Sequence, residues 1–373
     1  MNYRASFKDL MDYKDCETVP VVHFGYWDDT LKKWAEEGHI PDELADKAAD
    51  GNQYDMKLDA IMGWDYNYHR VVRAGAGIRP VFERKVIETM GDGSRKVLNN
   101  NGVIRLEKPG ASGIPMEFDY TLKDRASWDK DFKHRLQYSD DRISEEQLLR
   151  LKEEDSERTI PLGIHCGSLI GNIRNWVGME NLSFLSVDDP ALFREMIDTN
   201  AELCYQCLKK SLEIYSGFDF GHFWEDICFK NGPLVIPSMF DELTGHHYRR
   251  ITDLLREYDI TIVSLDCDGL IDSLIPTWIN NGVNTMFPIE VGTWGANIAP
   301  WRETYGRELR GVGGMNKTLF AKDKAAIDTE VERLAELVRL GGFIPCPDHR
   351  IAPDAEYELV KYYITSLREA LTC

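Results

Sequence analysis

The chain has 373 residues, a formal net charge of -19 and 43% hydrophobic residues. That length suits a (β/α)8 barrel with insertions, and the acidic balance excludes nucleic-acid and anionic-membrane partners, because both need a basic face. No apolar run reaches the roughly 18 residues of a membrane span. Met1 to Lys14 is polar and of mixed charge, without the apolar core of a secretory signal, so a cytoplasmic protein with its eight cysteines as reduced thiols is expected.

In chain order, residues 19–24 (VPVVHF) read as the first strand. Residues 79–108 then alternate apolar and polar positions around two turn signals, Gly91-Asp92-Gly93 and Asn101-Gly102, which reads as an inserted antiparallel hairpin. A charged helix over 140–158 leads back. Residues 160–165, 218–224, 260–265, 283–288, 309–313 and 342–346 are short apolar runs bounded by Gly, Pro, Asp or Asn, and read as further strands. Helices fall between them. Leu192, Met196, Leu203 and Cys207 keep one stripe, and Ile327, Val331, Leu334 and Val338 another. Alternating β and α segments imply a parallel sheet, since each parallel connection needs a crossover. Seven such strands suit a closed TIM barrel with one strand unrecognised. An open doubly wound sheet is the alternative, without a GxGxxG after its first strand to bind a dinucleotide. The expected architecture is one TIM-barrel domain over 1–373 with the inserted hairpin and extra N-terminal helices.

In such a barrel, chemistry gathers where the strands end. Tyr26 and Trp27 follow the first strand. His165 and Cys166 close the next visible one. Glu225 and Asp226 follow Trp224, and Asp266-Cys267-Asp268-Gly269 follow Leu265. Glu290, then Asn316 and Lys317, then Asp348-His349-Arg350 end the last three. Buried carboxylates there must be paired, protonated or metal-bound, so Glu225, Asp268, Glu290 and His349 point to a shared pocket, while Asp266 and Asp348 also suit helix capping. Tyr26, Trp27, Trp64, Tyr66 and Tyr68 divide between pocket lining and core. Cys204 and Cys207, a CxxC without a second pair, read as helix packing. His246, His247 and His23 read as structural.

The stretches EDICFKNGPLVIPSMFDEL, ITIVSLDCDGLIDSLIPTWINNGVNTMFPIEVG, LRGVGGMNKTLFA and GGFIPCPDHRIAPDA resemble the uroporphyrinogen decarboxylase superfamily, over the chain from about Trp176 onward. The divergent pattern is similar to its corrinoid-dependent methyltransferases of the O-demethylase type. The resemblance implies a TIM barrel running either cofactor-free decarboxylation or zinc-assisted methyl transfer to a corrinoid protein. In place of the decarboxylases' arginine-rich loop stands Gly25-Tyr26-Trp27-Asp28-Asp29. The methyltransferases' His-x-Cys position reads Asp266-x-Asp268, and their later cysteine falls on His349.

The resemblance therefore implies a methyltransferase moving a methyl group from a small methoxylated, aromatic substrate to the cobalamin of a partner corrinoid protein. Glu225, Asp268 and His349 are expected to be catalytic and to offer an oxygen and nitrogen site for zinc, with Glu290 or Asp266 in reserve. Tyr26, Trp27, His165, Asp226, Glu290 and Asn316 are expected to meet the substrate. The resemblance also suggests a homodimer. The alternatives are a decarboxylase of a small acid, gripped by Arg350, Arg302 or Lys317, and a non-catalytic binding protein on a barrel scaffold.

Overall fold

The computed structural model describes residues 1–109 and 115–371. Its strands are β1 (Val22–His23), β2 (Tyr66–Asn67), β3 (Val71–Arg73), β4 (Lys85–Thr89), β5 (Arg95–Leu98), β6 (Val103–Glu107), β7 (Met116–Tyr120), β8 (Gly163–Gly167), β9 (Phe220–Trp224), β10 (Cys228–Phe229), β11 (Gly232–Pro233), β12 (Val263–Asp266), β13 (Thr285–Ile289), β14 (Arg310–Met315) and β15 (Phe343–Pro347). Seven of them form one parallel sheet in the order β15-β14-β13-β12-β9-β8-β3. β1 pairs in parallel with β2, and a single parallel bridge joins Tyr26 to Ile351, just past β15. There the Ile351 amide donates to the Gly25 carbonyl and the Trp27 amide to the Ile351 carbonyl, each at 3.1 Å.

Every strand expected from an apolar run is present, shifted by a few residues. Not foreseen are the short pair β2 and β3, broken by Tyr68-His69-Arg70, and the two-residue strands β10 and β11. The helices also follow their stripes. Leu192, Met196, Leu203 and Cys207 are buried along the helix Pro190–Ile214, and Ile327, Val331, Leu334 and Val338 along Lys324–Val338. The expected charged helix is Glu145–Glu154. No helix among the described residues is long and apolar enough to cross a membrane.

Side chains alternate between the two faces of a strand, and the sheet accordingly has two cores. One face packs under the helices through Ile164, Phe223, Leu265, Met286 and Met315. On the other, Val22, Phe24, Tyr66, Tyr68, Phe220, Ile262, Phe287, Val312 and Ile344 meet one another. Tyr68 stacks on Phe220 at 5.0 Å, and Phe24 meets Phe287 edge-on at 4.8 Å. The helix Tyr3–Met11 supplies Phe7, Leu10 and Met11 to this second core, next to the amino ends of the strands.

The inserted hairpin is larger than expected. β4, β5, β6 and β7 form a four-stranded antiparallel meander reaching Tyr120. Its root is tied by Arg142, whose guanidinium donates to the carbonyls of Gln137 at 2.8 Å, Gly77 at 2.6 Å, Arg135 at 2.6 Å and Gly75 at 3.3 Å. The seven described cysteines are free thiols, and the eighth, Cys373, lies outside the described residues. Cys204 and Cys207 are buried on the helix Pro190–Ile214, as expected of packing residues.

Candidate active site

Strand alternation decides which side chains meet at the carboxyl ends. Phe220 and Ile262 belong to the second core, so His222, Ser264 and Asp266, at steps of two, follow them on the same face. His69 joins them from the break between β2 and β3. Its Nε2 lies 3.2 Å from Asp266 Oδ2, and its Nδ1 lies 3.7 Å from Asp50 Oδ2. Burial works against a charge on His69, but the Asp266 and Asp50 carboxylates outweigh it and lift the imidazole to about 9. Asp50 in turn is held by Arg350 and, at 3.1 Å, by Asn67 Nδ2. Burial alone would raise Asp50, yet His69 and Arg350 hold it well below the usual carboxylate range.

His222 Nδ1 is 2.8 Å from Ser264 Oγ, and its Nε2 is 3.9 Å from Asp266 Oδ2. Burial keeps His222 neutral and lowers His165 to about 4. His165 Nδ1 accepts from the Gly167 amide at 3.1 Å, and its ring centroid lies 6.3 Å from that of His222.

A second group lies further out. His349 Nε2 is 3.4 Å from Asp268 Oδ2, and these side chains keep 21% and 34% of their area exposed, enough to meet a ligand. His349 Nδ1 is buried without a hydrogen-bond partner among the described residues. Trp27 stacks on the His349 ring. Glu290 is buried, and its Oε2 accepts the Gly269 amide at 2.8 Å. That turn requires glycine: φ is +95°, and a Cβ would come within 2.7 Å of the Cys228 carbonyl group. Burial, and then the Asp268 charge, push Glu290 up to about 7. The Lys317 ammonium is lowered by burial and feels the charges of Asp348, Glu290 and Asp268. Beside this group an open cleft of about 680 Å³ is lined by Trp27, Asp29, Arg105, Pro115, Arg350 and Pro353, with Tyr26 and Asp28 also on its wall.

The expected residues therefore separate. Asp268, Glu290 and His349 come together, and Tyr26 and Trp27 line the cleft, although the Tyr26 hydroxyl is occupied by Trp64 Nε1 at 2.8 Å. Glu225 does not join them. Its buried carboxylate accepts the Leu169, Ile170 and Gly171 amides at 2.7, 2.9 and 2.7 Å and the Tyr248 hydroxyl, so no lone pair faces a pocket. Asp226 is paired with Arg174 at 2.9 Å, yet it borders the group, since it feels the charges of Asp268 and His349. The Asn316 side chain caps the next turn, accepting from the Thr318 amide at 3.1 Å. Asp348 accepts the Gly292 and Lys317 amides at 2.6 and 3.0 Å. Arg302 is bound to the Leu340 and Gly341 carbonyls before β15, at the amino end and remote from the cleft, so it does not grip a substrate there. Trp64, Tyr66 and Tyr68 are core. His23 is buried 2.6 Å from Asp59, and His247 lies 2.7 Å from Asp198 on the surface of two helices. His69, His222 and Asp50 were missed by sequence reasoning. The period-two step from Phe220 was the available signal for His222.

No protein-family model matches the chain, and no curated protein is similar to it. Solved structures are similar in fold. A methyltransferase from Methanosarcina mazei superposes with a TM-score of 0.62 at 14% identity, covering 99% of this chain and 98% of that one. A B12-independent methionine synthase from Shewanella sp. W3-18-1 gives 0.47 at 9% identity, with 94% and 97% covered. A putative vitamin-B12-independent methionine synthase from Listeria monocytogenes gives 0.41 at 12% identity, with 94% and 98% covered. At such identities the first likeness concerns the fold alone, and the other two are too distant to carry an argument.

Proposed function

We propose that the chain is a methyltransferase that takes a methyl group from the oxygen of a small methoxylated, aromatic compound and delivers it to a reduced corrinoid on a partner protein. The observation that carries the reading is Glu290, a buried carboxylic acid with a pKa of about 7, set beside Asp268 and His349, whose ring stacks on the cleft residue Trp27. A methyl–oxygen bond breaks readily only if the leaving oxygen is neutralised as it departs, which a general acid of this pKa does at neutral pH. Glu290 gives its proton to the ether oxygen, and the electron pair of the broken bond stays on that oxygen. Asp268 and Trp27 fix the His349 ring, and the Trp27 face borders the space for an aromatic ring. The fold-level likeness to a methyltransferase agrees with this reading without assigning the reaction.

The same reading takes the sheet to be a closed eight-stranded barrel, with β2 and β3 as one interrupted strand. The β1–β2 pair, the Tyr26–Ile351 bridge and the contact of Phe24 with Phe287 support closure. Zinc held by Glu225, Asp268 and His349 does not fit, because Glu225 is spent on backbone amides and Tyr248.

One observation favours a second reading. Arg105 and Arg350 put two guanidinium groups on the cleft wall, paired with Glu117 at 3.4 Å and with Asp50, a cationic lining suited to a decarboxylase of a small acid. An anaerobic assay decides between them. The protein is mixed with cob(I)alamin and a pool of methoxyarenes. Conversion of the corrinoid spectrum to methylcobalamin supports methyl transfer. No conversion with verified reduced corrinoid, together with carbon dioxide release from an added pool of small aromatic acids, overturns it for decarboxylation.

A further inference from the structure

We infer that the chain binds one divalent transition-metal ion, of the zinc class, through His69 Nε2, His222 Nε2 and Asp266 Oδ2. None of the three stands in the ligand set that sequence reasoning offered except Asp266, held there in reserve.

Bonds of about 2.0–2.2 Å in a tetrahedral zinc site place neighbouring ligand atoms about 3.3 Å apart. His69 Nε2 and Asp266 Oδ2 are 3.2 Å apart, His222 Nε2 and Asp266 Oδ2 are 3.9 Å apart, and all three atoms lie within 4.8 Å of one another. One edge of the tetrahedron is thus in place, and the others close by modest side-chain movement.

A metal-bound imidazole nearly always gives its other nitrogen to a carboxylate, carbonyl or hydroxyl, which fixes the ring and its tautomer. Both rings have that partner here. His69 Nδ1 faces Asp50, itself anchored by Arg350 and Asn67, and His222 Nδ1 meets the Ser264 hydroxyl. Three protein ligands leave a position open for a substrate or water, the pattern of catalytic rather than structural zinc.

Two other clusters among the described residues have comparable spacing but lack these features. Asp198, His246 and His247 lie on exposed helix surface. In His23, Asp55 and Asp59, His23 Nδ1 accepts the Gly25 amide at 2.9 Å, which leaves the ring proton on Nε2, and Asp55 is occupied by the Gly51 amide and Asn67.

Any catalytic role of the ion rests on the function proposed above, but its binding does not, and binding is measured without turnover. The full chain is stripped with EDTA, loaded with Zn²⁺, desalted and analysed for zinc, and Co²⁺ loading is followed by visible absorption. The parent and His349→Ala are expected to retain about one zinc per chain. His222→Ala and Asp266→Asn should weaken binding about a hundredfold or more and abolish the Co²⁺ bands, while Ser264→Ala, which removes only a supporting hydroxyl, should weaken it about 10- to 100-fold. Ser264→Ala keeps the test decisive if a ligand variant fails to fold, judged by circular-dichroism melting. A folded parent that retains no zinc overturns the inference. So does zinc that is lost in His349→Ala but kept in folded His222→Ala or Ser264→Ala.

Discussion

The indole of Trp27 lies over the imidazole of His349, with ring centroids 5.7 Å apart and planes 18° from parallel. Asp268 holds the same imidazole at its Nε2. The ring is therefore fixed by an aromatic face and a carboxylate, while Trp27 also borders the cleft. Trp27→Ala is expected to lower kcat/KM for an aromatic methyl donor about 10- to 100-fold, through loss of stacking and of orientation. Trp27→Phe should recover most of it. Steady-state kinetics on both variants check this.

In the proposed reaction Glu290 acts in its acid form, so turnover should be level in weak acid and fall about tenfold per pH unit above about 7. Glu290→Gln should remove that limb and lower kcat by about 10²–10⁴. Stability moves in the same sense. The folded pKa lies above the ordinary 4.5, so the Glu290 contribution is fully present below that value and lost as the pH rises through about 7. Urea titrations of parent and variant across this window measure the difference.

Glu225 tests a structural role against a catalytic one. Glu225→Ala strands the Leu169, Ile170 and Gly171 amides and the Tyr248 hydroxyl. The expected cost is about 3 kcal/mol or more, read from urea unfolding, with Tyr248→Phe costing about 1–2 kcal/mol. A Glu225→Ala protein of parental stability but without turnover would restore Glu225 to the chemistry.

Arg142→Met should loosen the root of the inserted meander, because four carbonyls lose a buried donor. A loss of about 2–4 kcal/mol is expected, with limited proteolysis speeding first within residues 79–120. Cleavage elsewhere first, or parental stability, counts against Arg142 as the tie.

Most of the fold was legible because its strands are dense apolar runs between turn residues, as in residues 218–224 and 283–288. β2 and β3 were not, since DYNYHRVVR mixes polar and aromatic residues and yields strands of two and three residues. The site was legible to the same degree. Asp268, Glu290 and His349 stand just past recognisable strands. His69 went unseen with its strand, and Asp50 reaches it only through the folded N-terminal region. Glu225 follows a strand as well, but its partners at 169–171 lie over fifty positions earlier, and no spacing in the sequence announces them.

The cleft has two sides built under unequal tolerance. Trp27 and Arg350 stand on segments locked by parallel-strand pairing, where a change disturbs the chemistry beneath. Arg105 and Pro115 stand on or beside the inserted meander, whose edge strand β4 is exposed along its whole length. Substitutions along the exposed β4 cost little folding free energy. The outer rim of the insertion can therefore drift in sequence while Trp27 and Arg350, on the other side of the cleft, are left as they are.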